Sequence, residues 1–314
     1  MDAPDLSVEL APRHKQGLRL RNPVMVASGT FSNGLEFARH HDVQSLGAIV
    51  SKGTTLLPRR GNPQRRTTET PGGMLNSIGF QNIGVERLVR DICPIWATWD
   101  VPVVVNILGD TVAEYARLAA RLDAVPGVAG FEVNISCPNL DVGGIEFGVD
   151  PAAAASATRA VREHTSLPVV VKLTPNVTEI ALIARAVAEA GADALCVANT
   201  IMGTAIDIEQ RRPVLNRPFG GLSGPAVRPI ILRMVWQVCA AVDIPVVASG
   251  GIMTWQDAVE YLLAGATAVQ VGTATFVDPD APWKVRDGIA GYLERHGEPS
   301  VTAIIGTART FRRD

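Results

Sequence analysis

Polar and charged residues recur directly after short apolar runs of the sequence, where their side chains could bind a polar ligand. They are Ser28, Lys52, Asn106, Asn134, Lys172 and Asn199. One polar residue after a strand is an ordinary turn former or helix cap. Six of them at the same end of successive strands would instead surround one opening with hydrogen-bonding groups and positive charge. Such a ring suits a planar polar ligand.

Two pairs of small residues follow the last two apolar runs. Gly250 and Gly251 follow Ser249, and Gly272 precedes Thr273. Small residues allow backbone N–H groups to approach an anion closely, with the start of a helix behind them. A single Gly-Gly pair would indicate only a tight turn, but a second small pair on the next strand favours a phosphate site here.

Two side chains could take part in a reaction directly. Lys172 ends an apolar run, so its ammonium group could form a Schiff base, stabilise an anionic cofactor or pair with a neighbouring carboxylate. Cys137 lies in the polar segment 134–139, where a thiol could act as a base or a nucleophile. The remaining cysteines are expected to be buried and inert: Cys93, Cys196 and Cys239.

The segments that must position these groups alternate between strands and helices. Eight short runs have the continuous hydrophobicity of strands that are buried on both faces of a parallel sheet. They span residues 24–27, 48–51, 103–107, 131–135, 169–173, 194–198, 246–249 and 268–271. Helix-like stretches lie between them, among them 112–122, 152–163, 178–189, 226–241 and 255–264.

Eight β–α units predict an α/β protein with a (β/α)₈ TIM barrel, formed as a single domain by residues 1–314, because doubly wound sheets usually stop at about seven strands. Two connections, 53–82 and 200–224, are long. In both, the additional residues precede the next helix, so we expect insertions over the active site at the βα face. Their apolar residues indicate that they fold over something.

Composition and charge exclude several classes of protein. Hydrophobic residues make up 47% and charged residues 19% of the chain, which is typical of a globular fold. With 29 Lys and Arg against 31 Asp and Glu, no overall positive field would attract nucleic acid. No apolar run approaches the ~20 residues of a membrane span, and we expect a cytoplasmic protein. The spacing of Cys and His predicts neither a metal site nor a disulfide.

Several motifs together resemble dihydroorotate dehydrogenases over nearly the whole chain. They are ETPGGMLNSIGFQNIG at 69–84, NISCPN at 134–139 with GGIEFGVDP after it, NT at 199–200, GGLSGPAVRPIILRMV at 220–235, SGGI at 249–252 and VGTA at 271–274. The sequence is most similar to the heteromeric NAD-linked class, whose catalytic chain carries FMN and a cysteine base. The membrane-bound quinone class is similar in fold but uses serine as the base.

The resemblance implies a role for each residue that matches the motifs of the family. FMN would be held by Ser28, Lys52, Gly53, Asn106, Asn134, Lys172, Ala198, Gly224, Gly250, Gly251, Gly272 and Thr273. Dihydroorotate would be held by Lys52, Asn76, Ser77, Ile78, Gly79, Phe80, Asn134, Asn199 and Thr200. Cys137 would take the C5 proton while hydride passes from C6 to flavin N5, and Lys52 and Lys172 would be the other catalytic residues.

The resemblance also implies partners. A homodimer of this chain would bind an electron-transfer subunit with FAD and a [2Fe–2S] cluster, and the heterotetramer would pass electrons to NAD. A separate carrier agrees with the absence of a Gly-x-Gly-x-x-Gly motif and of closely spaced cysteines from this sequence. Four alternatives stay open: a fumarate-linked dihydroorotate dehydrogenase, a related flavin barrel acting on dihydropyrimidines, an aldolase that uses Lys172 as a Schiff base, and a non-enzymatic barrel that binds a phosphate ligand.

Overall fold

Eight parallel strands close into a barrel in the computed structural model, which describes residues 3–136, 138–139 and 145–310. The strands are β1 (Val24–Val26), β2 (Ala48–Val50), β3 (Val103–Ile107), β4 (Gly130–Asn134), β5 (Val169–Lys172), β6 (Ala194–Val197), β7 (Val246–Ser249) and β8 (Ala268–Val271). Each strand pairs in parallel with the next one along the chain, and β8 pairs with β1. The predicted (β/α)₈ TIM barrel is confirmed.

Every residue of these eight strands is buried, which explains their continuous hydrophobicity. Most are Val, Ile, Leu or Ala, and full burial of one larger aliphatic side chain contributes about 1.5–3 kcal/mol. Six positions are polar, although they too are buried: Asn106, Glu132, Asn134, Lys172, Ser249 and Gln270. Buried polar groups lower the stability of a core unless they are hydrogen-bonded or ion-paired. These six positions are therefore candidates for a role other than packing.

Helices cover the outside of the barrel. They are α1 (Val112–Leu122), α2 (Pro151–Arg162), α3 (Ile180–Glu189), α4 (Arg228–Cys239), α5 (Trp255–Leu263) and α6 (Ala281–His296). The first five match the predicted helices to within two residues at each end. Side-chain caps set some of their starts: Asp150 Oδ1 accepts a hydrogen bond of 2.7 Å from the Ala153 N–H.

Two connections differ from a regular barrel. Between β1 and β2, the described chain forms only the short 3₁₀ segments Phe37–Arg39 and Val43–Ser45. Between β2 and β3, an irregular helix consists of Val85–Arg87, a π-helical turn at Leu88–Ile92 and Cys93–Trp96. Among the described residues, no helix is long and apolar enough to cross a membrane.

The two long insertions pair with each other. Their strands form one four-stranded antiparallel sheet in the order Ile201–Gly203, Gly220–Ser223, Gly73–Asn76 and Thr67–Thr70. The Asn76 amide donates to the Gly221 carbonyl at 3.2 Å across this sheet. Gly221 must lack a side chain because a Cβ there would lie 2.0 Å from Thr200 Oγ1. The expectation that the insertions fold over something is met by this sheet, which contributes residues to the cavity described next.

Candidate active site

A cavity of about 490 Å³ opens at the carboxyl ends of the barrel strands. Its lining includes eleven of the residues that the resemblance assigns to FMN: Ser28, Lys52, Gly53, Asn106, Asn134, Lys172, Ala198, Gly250, Gly251, Gly272 and Thr273. It also includes all those assigned to the substrate, among them Asn76, Ser77, Ile78, Gly79, Phe80, Asn199 and Thr200. The volume is typical of a site for a small ligand or cofactor. The structure therefore brings these residues together around one space.

Of the predicted residues that the structure describes, one is not in this lining. Gly224 lies behind the cavity: its carbonyl oxygen would lie 2.8 Å from a Cβ on Gly251, and its φ of +104° is a conformation that favours glycine. Its conformation and close packing therefore restrict this position to glycine, and the contact with FMN that the resemblance implies for Gly224 stays a prediction. Cys137 lies outside the described residues.

A buried polar network lies among β3, β4, β5 and β8. Glu132 accepts hydrogen bonds from the Asn106 amide at 2.7 Å and from the Gln270 amide at 2.6 Å. The Lys172 ammonium group donates to Gln270 Oε1 at 3.0 Å and lies 3.6 Å from the Glu132 carboxylate. Glu132 is 0% exposed and Lys172 5%. The carboxylate partner that the sequence left as an alternative for Lys172 is therefore present, and it is Glu132.

The network keeps Lys172 protonated. Burial alone would lower the pKa of Lys172, but its neighbours Cys196 and Glu132 act in the opposite direction, and the net pKa is raised. Burial raises the pKa of the Cys196 thiol, so Cys196 stays neutral and Glu132 supplies the stabilising charge. Because a Schiff base forms from a neutral amine, this environment disfavours the aldolase alternative.

Lys52 is a second cation in the cavity, and it differs from Lys172. Burial lowers the pKa of Lys52. Within the described part of the chain, its ammonium group makes no hydrogen bond or ion pair. An unpaired, partly buried cation next to a cavity favours an anionic ligand, since an opposite charge offsets the free-energy cost of removing it from water.

The cavity also contains an unsatisfied acceptor. Asn106 Oδ1 is buried and has no hydrogen-bond partner among the described residues, although the amide nitrogen of the same side chain is bonded to Glu132. Leaving a buried acceptor unpaired costs about 1–3 kcal/mol. A ligand with a ring N–H group would satisfy it.

The ends of β7 and β8 form an anion-binding corner. Across the described chain, the amide N–H groups of Gly251, Gly272 and Thr273 donate no hydrogen bond to the protein. The nearest atoms to a Cβ on Gly272 would be Ala27 Cβ at 3.4 Å and Thr30 Oγ1 at 4.0 Å, so protein packing alone does not require glycine there. Free N–H groups beside open space fit a phosphate. Together with Lys52 and the Asn106 acceptor, this corner fits a phosphorylated ring cofactor such as FMN.

The opposite part of the cavity is rich in amides. Asn134 Oδ1 accepts hydrogen bonds from the Ser136 N–H at 3.1 Å and from the Asn199 amide at 3.3 Å. The Asn134 carbonyl oxygen accepts a bond of 2.6 Å from the Tyr115 hydroxyl. The loop that contains Ser77 is held by Asn62, whose amide donates to the Ser77 hydroxyl at 2.9 Å. These fixed amides offer donors and acceptors to a small ring with amide groups.

The sequence did not reveal some of these residues. Glu132 and Gln270 are single polar residues within apolar strands. This placement is the sequence signal that could have indicated their role in the site. Asn62 and Glu146 line the cavity as well, although neither directly follows a predicted strand. Cys93 and Cys196 are buried as expected, whereas Cys239 is only partly buried, a correction to the expectation. No group of three or more potential metal ligands occurs among the described residues.

Comparisons with known proteins agree in their result. A family model for dihydroorotate dehydrogenase matches residues 13–293. A protein of Geobacter sp. (strain M21) named dihydroorotate dehydrogenase B (NAD(+)), catalytic subunit, is 53% identical over 306 residues, which is 98% of this chain and 99% of the relative. A protein of Desulforudis audaxviator with the same name is 56% identical over 292 residues, 93% of this chain and 95% of the relative.

Proposed function

Because the chain belongs to the dihydroorotate dehydrogenase family, we propose that it oxidises dihydroorotate to orotate in pyrimidine biosynthesis, with FMN as its bound cofactor. One observation carries this proposal: the unpaired Lys52, the unsatisfied Asn106 acceptor and the free amides at the ends of β7 and β8 surround one cavity. The barrel and both insertions contribute to its lining, which supports a single FMN-binding domain formed by the whole chain.

Different residues of the cavity would bind the cofactor and stabilise the charge that develops in the reaction. Bound FMN would supply the hydride acceptor. Gly250, Gly251, Gly272 and Thr273 would hold its phosphate, and Asn106 would bond to its ring. Lys172 is held in place by its ion pair with Glu132. Its fixed positive charge would stabilise the negative charge that oxidation of the substrate transfers to FMN. The remaining FMN contacts proposed from the resemblance are Ser28, Lys52, Gly53, Asn134, Ala198 and Gly224.

The substrate is a small ring with amide groups and one carboxylate. Lys52 would bind the carboxylate, and Asn76, Asn134 and Asn199 would bond to the ring amides. The segment from Ser77 to Phe80, together with Thr200, would enclose the ring. Cys137 is proposed as the base that removes the C5 proton. A thiol with a reference pKa of ~8.5 can act in this way near neutral pH when it is partly ionised.

Gly272→Val should weaken FMN binding at least about tenfold, equivalent to ~1.4 kcal/mol. The added side chain would fill the open space beside Ala27 that the phosphate corner leaves. Flavin absorbance per chain after desalting measures the effect. Gly291→Val is the matched control, since a Cβ on Gly291 in α6 would meet only Arg295 Nη1 at 3.3 Å. Full FMN retention by the Gly272 variant would refute the phosphate assignment.

The isolated chain should oxidise dihydroorotate with an artificial dye but reduce NAD slowly. The names of the relatives include the words catalytic subunit and NAD(+), which supports a partner subunit. The resemblance implies that this electron-transfer partner contains FAD and a [2Fe–2S] cluster. Steady-state assays with dye, NAD and fumarate, each with and without this partner, separate the possible acceptors. Rapid NAD reduction by this chain alone would contradict the partner, and efficient fumarate turnover would favour the fumarate-linked class. The homodimer and heterotetramer are tested by the mass of each purified assembly.

A further inference from the structure

The peptide group between Gly250 and Gly251, at the end of β7, has little conformational preference of its own. The φ angles of the two residues are +154° and +71°, in the region that favours glycine, and glycine adopts many backbone conformations at similar free energy. Such a peptide can rotate unless a neighbouring group holds it. The proposed phosphate corner depends on its orientation, because the Gly251 N–H donates no hydrogen bond within the described chain.

The side chain of Tyr261, in α5, holds the other end of this peptide group. Tyr261 is 0% exposed, and its hydroxyl donates a hydrogen bond of 2.6 Å to the Gly250 carbonyl oxygen. No other group of the described chain donates to that oxygen. The hydroxyl also lies 3.2 Å from the Arg228 carbonyl oxygen, at the start of α4. Because a hydroxyl has one proton to donate, the shorter contact, to Gly250, is the stronger of the two.

The Gly250 carbonyl and the Gly251 N–H belong to the same peptide group, which is trans. A trans peptide is planar, so its C=O and N–H bonds point in opposite directions. A side chain that fixes the carbonyl oxygen therefore also fixes the direction of the N–H bond. A hydrogen bond to the carbonyl oxygen also polarises the peptide, which makes its N–H a stronger donor.

The position of Tyr261 is itself fixed by a neighbour. Asp257, one turn earlier in α5, forms an ion pair of 3.0 Å with Arg228. Its Oδ2 atom also accepts hydrogen bonds of 2.9 Å from the N–H groups of Met253 and Thr254. One carboxylate thus connects α5 to the start of α4 and to the loop that follows β7. Burial raises the pKa of Tyr261, so its hydroxyl keeps the proton that it donates near neutral pH.

Resting on the proposed function, we infer that Tyr261 is a positioning residue for the cofactor phosphate. Its hydroxyl orients the Gly250–Gly251 peptide so that the Gly251 N–H can donate to the anion. Tyr261 is not part of the cavity lining, so it acts through the backbone rather than by touching the cofactor. A binding site keeps its geometry when hydrogen bonds from surrounding residues hold the groups that contact the ligand.

Tyr261→Phe should lower the preference of the FMN-free protein for FMN over riboflavin about five- to tenfold. Phenylalanine keeps the ring that fills the core, and it removes the hydroxyl that holds the Gly250–Gly251 peptide. Riboflavin has the flavin ring and the ribityl chain of FMN but no phosphate, so its affinity should change little. Titration of each flavin with FMN-free protein, followed by flavin fluorescence, measures both dissociation constants.

Tyr115→Phe is the matched control. Tyr115 is also 0% exposed, and its hydroxyl donates a bond of the same length, 2.6 Å, to the Asn134 carbonyl oxygen at the end of β4. Because this bond lies away from β7 and β8, its loss should leave the ratio of the two flavin affinities at the wild-type value. Should riboflavin bind too weakly for a titration, phosphorus NMR of bound FMN makes the same comparison. The resonance should shift in Tyr261→Phe and stay in place in Tyr115→Phe.

The outcomes separate a role in phosphate binding from a general structural role. A wild-type ratio in Tyr261→Phe would overturn the inference, and so would an equal loss of affinity for both flavins. If the wild-type protein binds FMN no more tightly than riboflavin, the phosphate corner is wrong and the inference falls with it. A wild-type protein that binds neither flavin would instead refute the proposed function itself.

Discussion

Cys137→Ala is expected to slow flavin reduction by dihydroorotate about 10²- to 10⁴-fold, the usual effect of losing a general base. FMN and orotate should still bind, because the resemblance assigns their contacts to other residues. The rate in the wild type should rise with pH until the thiol is ionised, and the alanine variant should lack this rise. Anaerobic stopped-flow measurements across pH would record both effects.

Cys239→Ala is the control for loss of a thiol. Burial raises the pKa of Cys239 to about 11, with Arg309 acting in the opposite direction, so this thiol is poorly suited to act as a base. Its replacement should leave flavin reduction unchanged. Wild-type speed in Cys137→Ala would assign the base to another group, and the cavity would then have to supply it.

Lys172→Met is expected to destabilise the FMN-free protein by about 3–5 kcal/mol, the range for breaking one side of a buried ion pair. The reason is Glu132, which is fully buried and would lose its neighbouring positive charge. Unfolding by guanidinium chloride, followed without FMN, isolates this effect from cofactor binding.

The double variant Lys172→Met with Glu132→Gln should recover much of the lost stability. A neutral amide at position 132 needs no counter-ion, and Gln270, released from Lys172, can turn its amide oxygen toward it. Such recovery makes the two substitutions strongly non-additive. If their effects simply add, the pair does not hold the network together, and the stabilising partner of Lys172 lies elsewhere.

The barrel could be predicted because its signal is local and repeated. Eight apolar runs of similar length can form strands buried on both faces, and the structure confirms all eight. The ring of strand-end residues followed from this order, since parallel strands bring their carboxyl ends to the same face of a barrel. The cavity lining includes all six of its polar members.

Features that depend on distant partners could not be predicted. Nothing near Gly73–Asn76 indicates that it pairs with Gly220–Ser223, because the two strands lie far apart in sequence and only the closed barrel brings them together. Glu132 is one charged residue in an apolar strand, and its role depends on side chains of three other strands. Helix α6 is not among the helix-like stretches named from the sequence. The expected cytoplasmic location stays a prediction.

Anaerobic titration of the purified protein with dihydroorotate tests the central claim most directly. The protein should contain one FMN per chain, and one equivalent of dihydroorotate should bleach its visible flavin absorbance and yield one equivalent of orotate. Dihydrouracil, which lacks the carboxylate that Lys52 is proposed to bind, should bleach it far more slowly. A colourless protein, or a flavin that dihydrouracil reduces and dihydroorotate does not, would contradict the account.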